Sequence, residues 1–118
     1  MKENRLIDLS KQLAVDIINE CSAIREDKRG NVLTNQLLRS RTSIGANIHE
    51  ANYAASRADF INKLQIALKE CYETEYWLEL FIKTNIISTD KYNQLAEQCF
   101  KIRRLLSASI NTAKCNNT

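Results

Sequence analysis

The sequence contains no proline and only two glycines among its 118 residues. A β-rich chain of this length needs many more turn residues, because proline and glycine supply the backbone angles of tight turns. The sequence also has no apolar run of the roughly 20 residues that cross a membrane. Its first ten residues, MKENRLIDLS, lack the apolar core of a secretory signal. We therefore expect a helical protein without membrane contact.

Residues that bind metals or catalyse reactions are also scarce. The four cysteines form no C-x-x-C pair, which argues against a zinc ribbon or a redox motif, and free cysteines indicate a reduced, cytoplasmic location. A di-iron site in a helical bundle needs two Glu-x-x-His pairs, but the one histidine, His49, has no glutamate three residues before it. There is no glycine-rich phosphate loop. We predict no catalytic residue, no metal, no cofactor and no enzymatic activity.

Apolar residues recur at helical spacing in four segments. The first helix is predicted from residue 3 to about 27, and the second from Thr34 as N-cap to about Tyr53 or Ala54. Ser56 is the predicted N-cap of a third helix that ends near Thr84, and Ser88 or Thr89 caps the fourth. The connections are short, so neighbouring helices must run antiparallel. Residues 1–118 are predicted to form one all-α domain, an antiparallel up-down-up-down four-helix bundle.

The third helix has the most regular apolar pattern. Its seam follows a strict spacing of four and three residues, which is typical of a packed bundle: Phe60, Leu64, Ala67, Cys71, Thr74, Leu78 and Phe81. A run of glutamates lies on the same helix and is interpreted as a solvated face: Glu70, Glu73, Glu75 and Glu79.

A polar segment, RSRTSIGANIHEA at residues 39–51, interrupts the second helix where large apolar residues are expected. Small and polar residues suit a close approach between helices, and the predicted polar motif is Ser40, Ser43, Asn47 and Glu50. Asn47 is predicted to be largely buried and hydrogen-bonded to another helix. Gly45 lies mid-helix, where glycine costs about 1 kcal/mol relative to alanine. We expect a neighbouring group to need the space that a side chain would occupy.

The formal net charge is +3, well below that of a dedicated nucleic-acid-binding protein. Basic residues nevertheless cluster in two places, and the candidate phosphate contacts are Arg25, Lys28, Arg29, Arg39, Arg41, Lys101, Arg103 and Arg104. They would bind phosphates without reading base sequence. The alternative is a solvated basic face offset by the acidic third helix.

Several large side chains lie off the main seams and exceed what one bundle needs for its core. Tyrosine and tryptophan are enriched at subunit interfaces. The predicted oligomer interface is Tyr53, Tyr72, Tyr76, Trp77, Leu80 and Phe100. Packing at the edge of the core is the alternative.

Two segments, QLLRSRTSIGANIHEA and ADFINKLQIALKECYETEYWLEL, resemble the bacterial four-helix-bundle family of 23S ribosomal RNA intervening-sequence proteins. The resemblance rests on Arg39-Ser40, Ser43-Ile44, Ala46-Asn47-Ile48 and Tyr76-Trp77-Leu78, among others, and is close over about residues 33 to 82. Arg41 departs from it, because many relatives carry glycine there. Many family members are encoded within insertions in large ribosomal RNA genes.

The family is also similar to the accessory variability determinant of diversity-generating retroelements. That strongly basic protein forms a homopentameric barrel and binds nucleic acid and a reverse transcriptase. The resemblance implies a homo-oligomer, a pentamer by this comparison, with RNA, DNA, a reverse transcriptase or another protein as partner. The leading hypothesis is a non-enzymatic accessory protein that binds nucleic acid or a ribonucleoprotein. The alternative is a protein-interaction scaffold without nucleic-acid contact.

Overall fold

Four α-helices make up the fold: α1 (Lys2–Ile24), α2 (Asn31–Ala51), α3 (Arg57–Lys83) and α4 (Thr89–Cys115). The computed structural model describes residues 2–24 and 31–115, with side chains for 5–22 and 33–115. Helices adjacent in sequence pack side by side, and α1 also packs on α4, which closes a bundle about 52 Å long. The predicted all-α four-helix bundle is confirmed. Within the described ranges, no helix combines the length and hydropathy that crossing a membrane requires.

The core follows the seam that periodicity predicts for α3. Six of its seven positions are buried, from Leu64 to Phe81, and Phe60 packs partly buried against the same cluster. Because α3 contacts both α2 and α4, this face supplies the core for both halves of the bundle. Buried leucine and phenylalanine side chains of this kind each stabilise the fold by about 1.5–3 kcal/mol.

Both ends of α3 are set by local hydrogen bonds. Ser56 has extended backbone angles, and its side chain accepts a hydrogen bond from the Asp59 N–H at 3.1 Å, which confirms the predicted N-cap. At the other end, Asn85 adopts a left-handed conformation with φ 58°. The N–H of Ile86 then donates to Phe81 O at 2.9 Å, and that of Asn85 to Ile82 O at 3.1 Å. This pair of bonds is a Schellman motif, which stops the helix and turns the chain into α4.

The limits of α2 and the start of α4 partly match the prediction. Ser88 caps α4, because its side chain accepts the Lys91 N–H at 3.2 Å. Thr34 is not the N-cap of α2, which starts at Asn31; it lies one turn inside the helix and is buried. Helix α2 ends at Ala51, two or three residues short of the predicted Tyr53 or Ala54, because the following N–H groups bond three residues back. The predicted end of the first helix falls outside the described residues.

Two buried cysteines lie on the facing sides of α3 and α4. Burial raises the pKa of the Cys71 thiol to about 12 and that of the Cys99 thiol well above its usual value. Cys21 is buried as well, and Cys115 is exposed at the end of α4. Three of the four cysteines therefore act as small apolar core residues.

Gly45 is not required for close helix packing. A Cβ atom placed on this residue would lie 3.9 Å from Ser10 Oγ of α1, an ordinary van der Waals contact, and its φ is not positive. The expectation that a neighbour needs this space is therefore wrong. Glycine at this position therefore only lowers the stability of the helix, because it loses more conformational entropy on folding than alanine does.

We predict that Gly45→Ala raises the free energy of unfolding by about 1 kcal/mol, because alanine removes that disadvantage without a clash. Chemical denaturation followed by circular dichroism measures the change. The matched control is Ala46→Gly at the adjacent exposed position, which should lower the free energy of unfolding by a similar amount. A destabilised Gly45→Ala variant would show that the α1–α2 approach is tighter than 3.9 Å.

Candidate functional site

Five of the eight predicted phosphate contacts are described, because Arg25, Lys28 and Arg29 lie outside the described residues. The Arg39 side chain is bonded to two glutamates of α3. Its guanidinium donates to Glu70 Oε2 at 3.1 Å and to Glu70 Oε1 at 3.4 Å, and it also donates to Glu73 Oε1 at 3.3 Å. These ion pairs join α2 to α3 and leave Arg39 little capacity for an external phosphate.

The pKa values of this α2–α3 polar cluster (Arg39, Ser43, Glu70 and Glu73) reflect two adjacent carboxyl groups. Burial alone would raise the pKa of Glu70, but hydrogen bonds from Glu73, Arg39 and Ser43, with the charge of Arg39, lower it overall. The pKa of Glu73 is raised, chiefly by its hydrogen bond and charge interaction with Glu70. The hydrogen bond to Glu70, together with the charge of Glu70, raises the pKa of Arg39. Of the two carboxyl groups, Glu70 is therefore the one that stays ionised as the pH falls.

The rest of the polar motif is bonded differently from the prediction. Asn47 Nδ2 donates to Ser43 O at 2.8 Å and to Ser43 Oγ at 3.3 Å, both within α2. The predicted bond from Asn47 to another helix is wrong, and the side chain is half-buried. Glu50 does reach α3, through an ion pair of 3.2 Å with Lys63. Ser40 is fully buried in the α2 core face.

Arg103 of α4 lies between two aromatic rings. Its guanidinium donates to both carboxylate oxygens of Glu75 on α3, at 3.1 and 3.2 Å. Its Cζ atom lies 5.0 Å from the ring centroid of Tyr72 and 5.1 Å from that of Phe100. Burial opposes the charge on Arg103, but the hydrogen bond and charge of Glu75 raise its pKa overall. The charge of Arg103 is therefore satisfied within the protein, and it fixes the two rings.

The remaining predicted cations differ in exposure. Arg104 is exposed, and its Cζ atom lies 5.7 Å from the Phe100 centroid. Lys101 is exposed and makes a long ion pair of 3.7 Å with Glu97 one turn earlier. Such exposed ion pairs contribute little to the free energy of unfolding. Arg41 is half-buried, and its Nε atom is buried.

The predicted interface residues do not form one surface. Tyr72, Tyr76 and Phe100 are about half exposed, and Arg103 links Tyr72 to Phe100; we call these three residues the α3–α4 aromatic surface. Trp77 packs partly buried against the core, with its ring 5.1 Å from that of Tyr76. Leu80 is half-buried.

Tyr53 follows the end of α2, and its ring lies 5.3 Å from that of His49. At 1.5 Å per residue, the start of α3 beside it is about 20 Å from Tyr72 along the bundle. Tyr53 is thus separate from the α3–α4 aromatic surface.

The sequence interpretation missed the ion pairs that two glutamates of α3 make with neighbouring helices. Glu70 is buried and Glu75 is three-quarters buried, so the interpretation of the run as a solvated face is wrong for both. A signal was present, because Glu70 lies three residues after Ala67 and one before Cys71, next to the seam. Arg5 of α1 was also missed; it lies beside Lys101 and Arg104 in a groove between α1 and α4.

The fold is an up-down four-helix bundle in which arginine–glutamate ion pairs join α3 to α2 and to α4. The 23S rRNA-intervening sequence protein family matches residues 2–108, and the chain belongs to that family. It is similar to a crystal structure of a protein with unknown function from the S23 ribosomal protein family of Bacteroides thetaiotaomicron VPI-5482. The two share 49% identity with a TM-score of 0.90, over 94% of this chain and 99% of that chain. No curated protein matches the chain.

We predict that Glu70→Gln lowers the free energy of unfolding at pH 7 by about 1–2 kcal/mol, because it weakens a charged hydrogen bond to Arg39 that is half exposed and so partly screened. The folded-state pKa of Glu70 is lowered, so its stabilisation is present above the ordinary value of 4.5 and is lost as the pH falls through the folded-state value. The difference from wild type should therefore vanish at low pH. Denaturation between pH 2 and 7 measures it, with Glu79→Gln as an exposed control on α3. A pH-independent difference would contradict the assignment.

Proposed function

We propose that the protein is a non-enzymatic, homo-oligomeric accessory protein that binds nucleic acid or a ribonucleoprotein in the cytoplasm. The observation that carries the proposal is the charge on α4. Residues 101–118 contain four basic residues and no acidic residue. Arg103 is neutralised by Glu75, but Lys101 and Arg104 remain exposed. A helix face of this kind attracts phosphates through counterion release.

Assembly strengthens this weak basic character. A single chain carries a net charge of only +3. Closed symmetry repeats each patch on every subunit, so a ring would present α4 several times to one polyanion. Five subunits, which the resemblance to the accessory variability determinant implies, would give such a ring.

The α3–α4 aromatic surface supports self-association. Its two tyrosines, Tyr72 and Tyr76, expose apolar rings on α3, and the ion pair between Arg103 and Glu75 holds the ring of Tyr72 in a fixed orientation. Phe100 also lines a groove beside α1, so we place it at the rim of this interface, where its ring stays accessible. Rigid tyrosines beside arginine are the residues that dominate binding energy at protein interfaces. The same surface favours the second candidate function, a protein-interaction scaffold without nucleic-acid contact.

We predict that the protein binds RNA or DNA at low salt and that its affinity falls as salt rises, because each phosphate contact releases counterions. Fluorescence anisotropy across a salt titration measures both. The double variant Lys101→Glu with Arg104→Glu should lose at least about tenfold in affinity at low salt, since two attractive charges become repulsive.

The control for this test is Lys69→Glu with Lys83→Glu, which makes the same charge change on exposed positions of α3. Absence of any RNA or DNA binding at low salt by an intact oligomer would refute the nucleic-acid function and leave the scaffold.

We predict that Tyr76→Lys dissociates the oligomer toward the monomer mass of 13.6 kDa, because a charge would lie at the centre of a buried interface. Light scattering measures the mass, and circular dichroism should be unchanged because Tyr76 is 54% exposed in the single chain. Tyr53→Lys, at a 78% exposed position away from the α3–α4 aromatic surface, should leave the mass unchanged. A wild-type protein of monomer mass would rule out the assembly.

A further inference from the structure

A groove between α1 and α4 combines positive charge with an exposed aromatic ring. Its volume is about 440 Å³, and its lining comprises Arg5, Glu97, Phe100, Lys101, Arg104, Leu105 and Ala108. Arg5 comes from α1 and the other six residues from α4. We call it the α1–α4 groove.

The charges in the α1–α4 groove are unbalanced. Three cations face one carboxylate, Glu97, whose ion pair with Lys101 is long, at 3.7 Å, and exposed. Within residues 5–22 and 33–115, neither Arg5 nor Arg104 makes an ion pair. Two guanidinium groups, one on each wall, thus face the α1–α4 groove. Guanidinium binds phosphate through two parallel hydrogen bonds.

Phe100 gives the groove a second property, which is a surface for stacking. Its ring is 43% exposed, and the guanidiniums of Arg103 and Arg104 lie 5.1 and 5.7 Å from its centroid. Because Arg103 is itself fixed by Glu75, the ring has little freedom to lose when a ligand binds. Leu105 and Ala108 extend the apolar part of the lining. The exposed part of the Phe100 ring and this apolar lining are the surfaces that a flat, uncharged group would contact.

We infer that the α1–α4 groove binds single-stranded nucleic acid, with backbone phosphates on Arg5, Lys101 and Arg104 and an unpaired base stacked on Phe100. The inference rests on the proposed nucleic-acid function and specifies its site and its form of ligand. Stacking on an aromatic side chain requires an exposed base face, which a single strand offers and a duplex hides. An acidic peptide would satisfy the cations but offers no ring to Phe100.

The test compares binding of fluorescein-labelled 12-nucleotide oligo-U and oligo-dT with binding of a 12-base-pair duplex, by anisotropy at low salt. Arg5→Ala and Arg104→Ala should each weaken binding of both single strands and reduce the slope of log affinity against log salt by about 0.7. Lys69→Ala removes the same charge from α3, outside the groove, and should leave affinity and slope nearly unchanged. Light scattering on every variant checks that its assembly is the same as wild type.

Phe100 is tested by two substitutions that differ in the aromatic ring. Phe100→Leu keeps an apolar side chain without a π face and should weaken single-strand binding by roughly five- to tenfold, while duplex binding stays the same. Phe100→Tyr keeps the ring and should bind like wild type. Equal losses for the single strand and the duplex would overturn the stacking role.

The outcomes separate this inference from the proposed function. If the wild type binds oligonucleotides but the groove variants match Lys69→Ala, the α1–α4 groove is not the site and the nucleic-acid function stands. If the wild type binds neither single strand nor duplex, the proposed function fails and the inference fails with it. Competition by polyglutamate of equal length, as strong as by unlabelled oligo-U, would identify a site for acidic peptides and overturn the assignment.

Discussion

The buried face of α3 is the constraint on which the rest of the bundle depends. Its seam packs against α2 on one side and α4 on the other, while α1 completes the ring on the far side. A helix with two neighbours must fix its rotation as well as its position, because a turn of 100° would expose a row of leucines. The cap at Ser56 and the left-handed Asn85 limit its length. Contacts with α3 therefore set the positions of α2 and α4.

Arginine–glutamate pairs then select the axial register that apolar packing leaves open. Leucine seams tolerate a slip by one heptad, but a buried carboxylate does not, because it would lose its partner in a medium of low dielectric. Glu70 meets Arg39 across α2–α3, and Glu75 meets Arg103 across α3–α4. The two glutamates lie five residues apart on α3 and reach opposite neighbours. Together they align three helices with one another.

Periodicity predicted the four helices and the α3 seam, because both depend only on spacing along the chain. It did not predict the partners of polar residues, since these depend on how far two helices are shifted along their axes. Asn47 was expected to bond across helices and bonds within α2 instead. Glu70 was assigned to solvent although its position borders the seam. Arg5 was overlooked because the short α1–α4 groove exists only once the first and last helices meet.

The burial of three cysteines has a practical consequence for work on the protein. A thiol reacts as its thiolate, and burial keeps the thiols of Cys71 and Cys99 protonated and out of contact with solvent. Cys21 is shielded in the same core, whereas Cys115 is exposed at the end of α4. The native chain therefore carries a single accessible attachment point for a maleimide dye or a nitroxide. A spectroscopic probe can be attached there without altering the sequence.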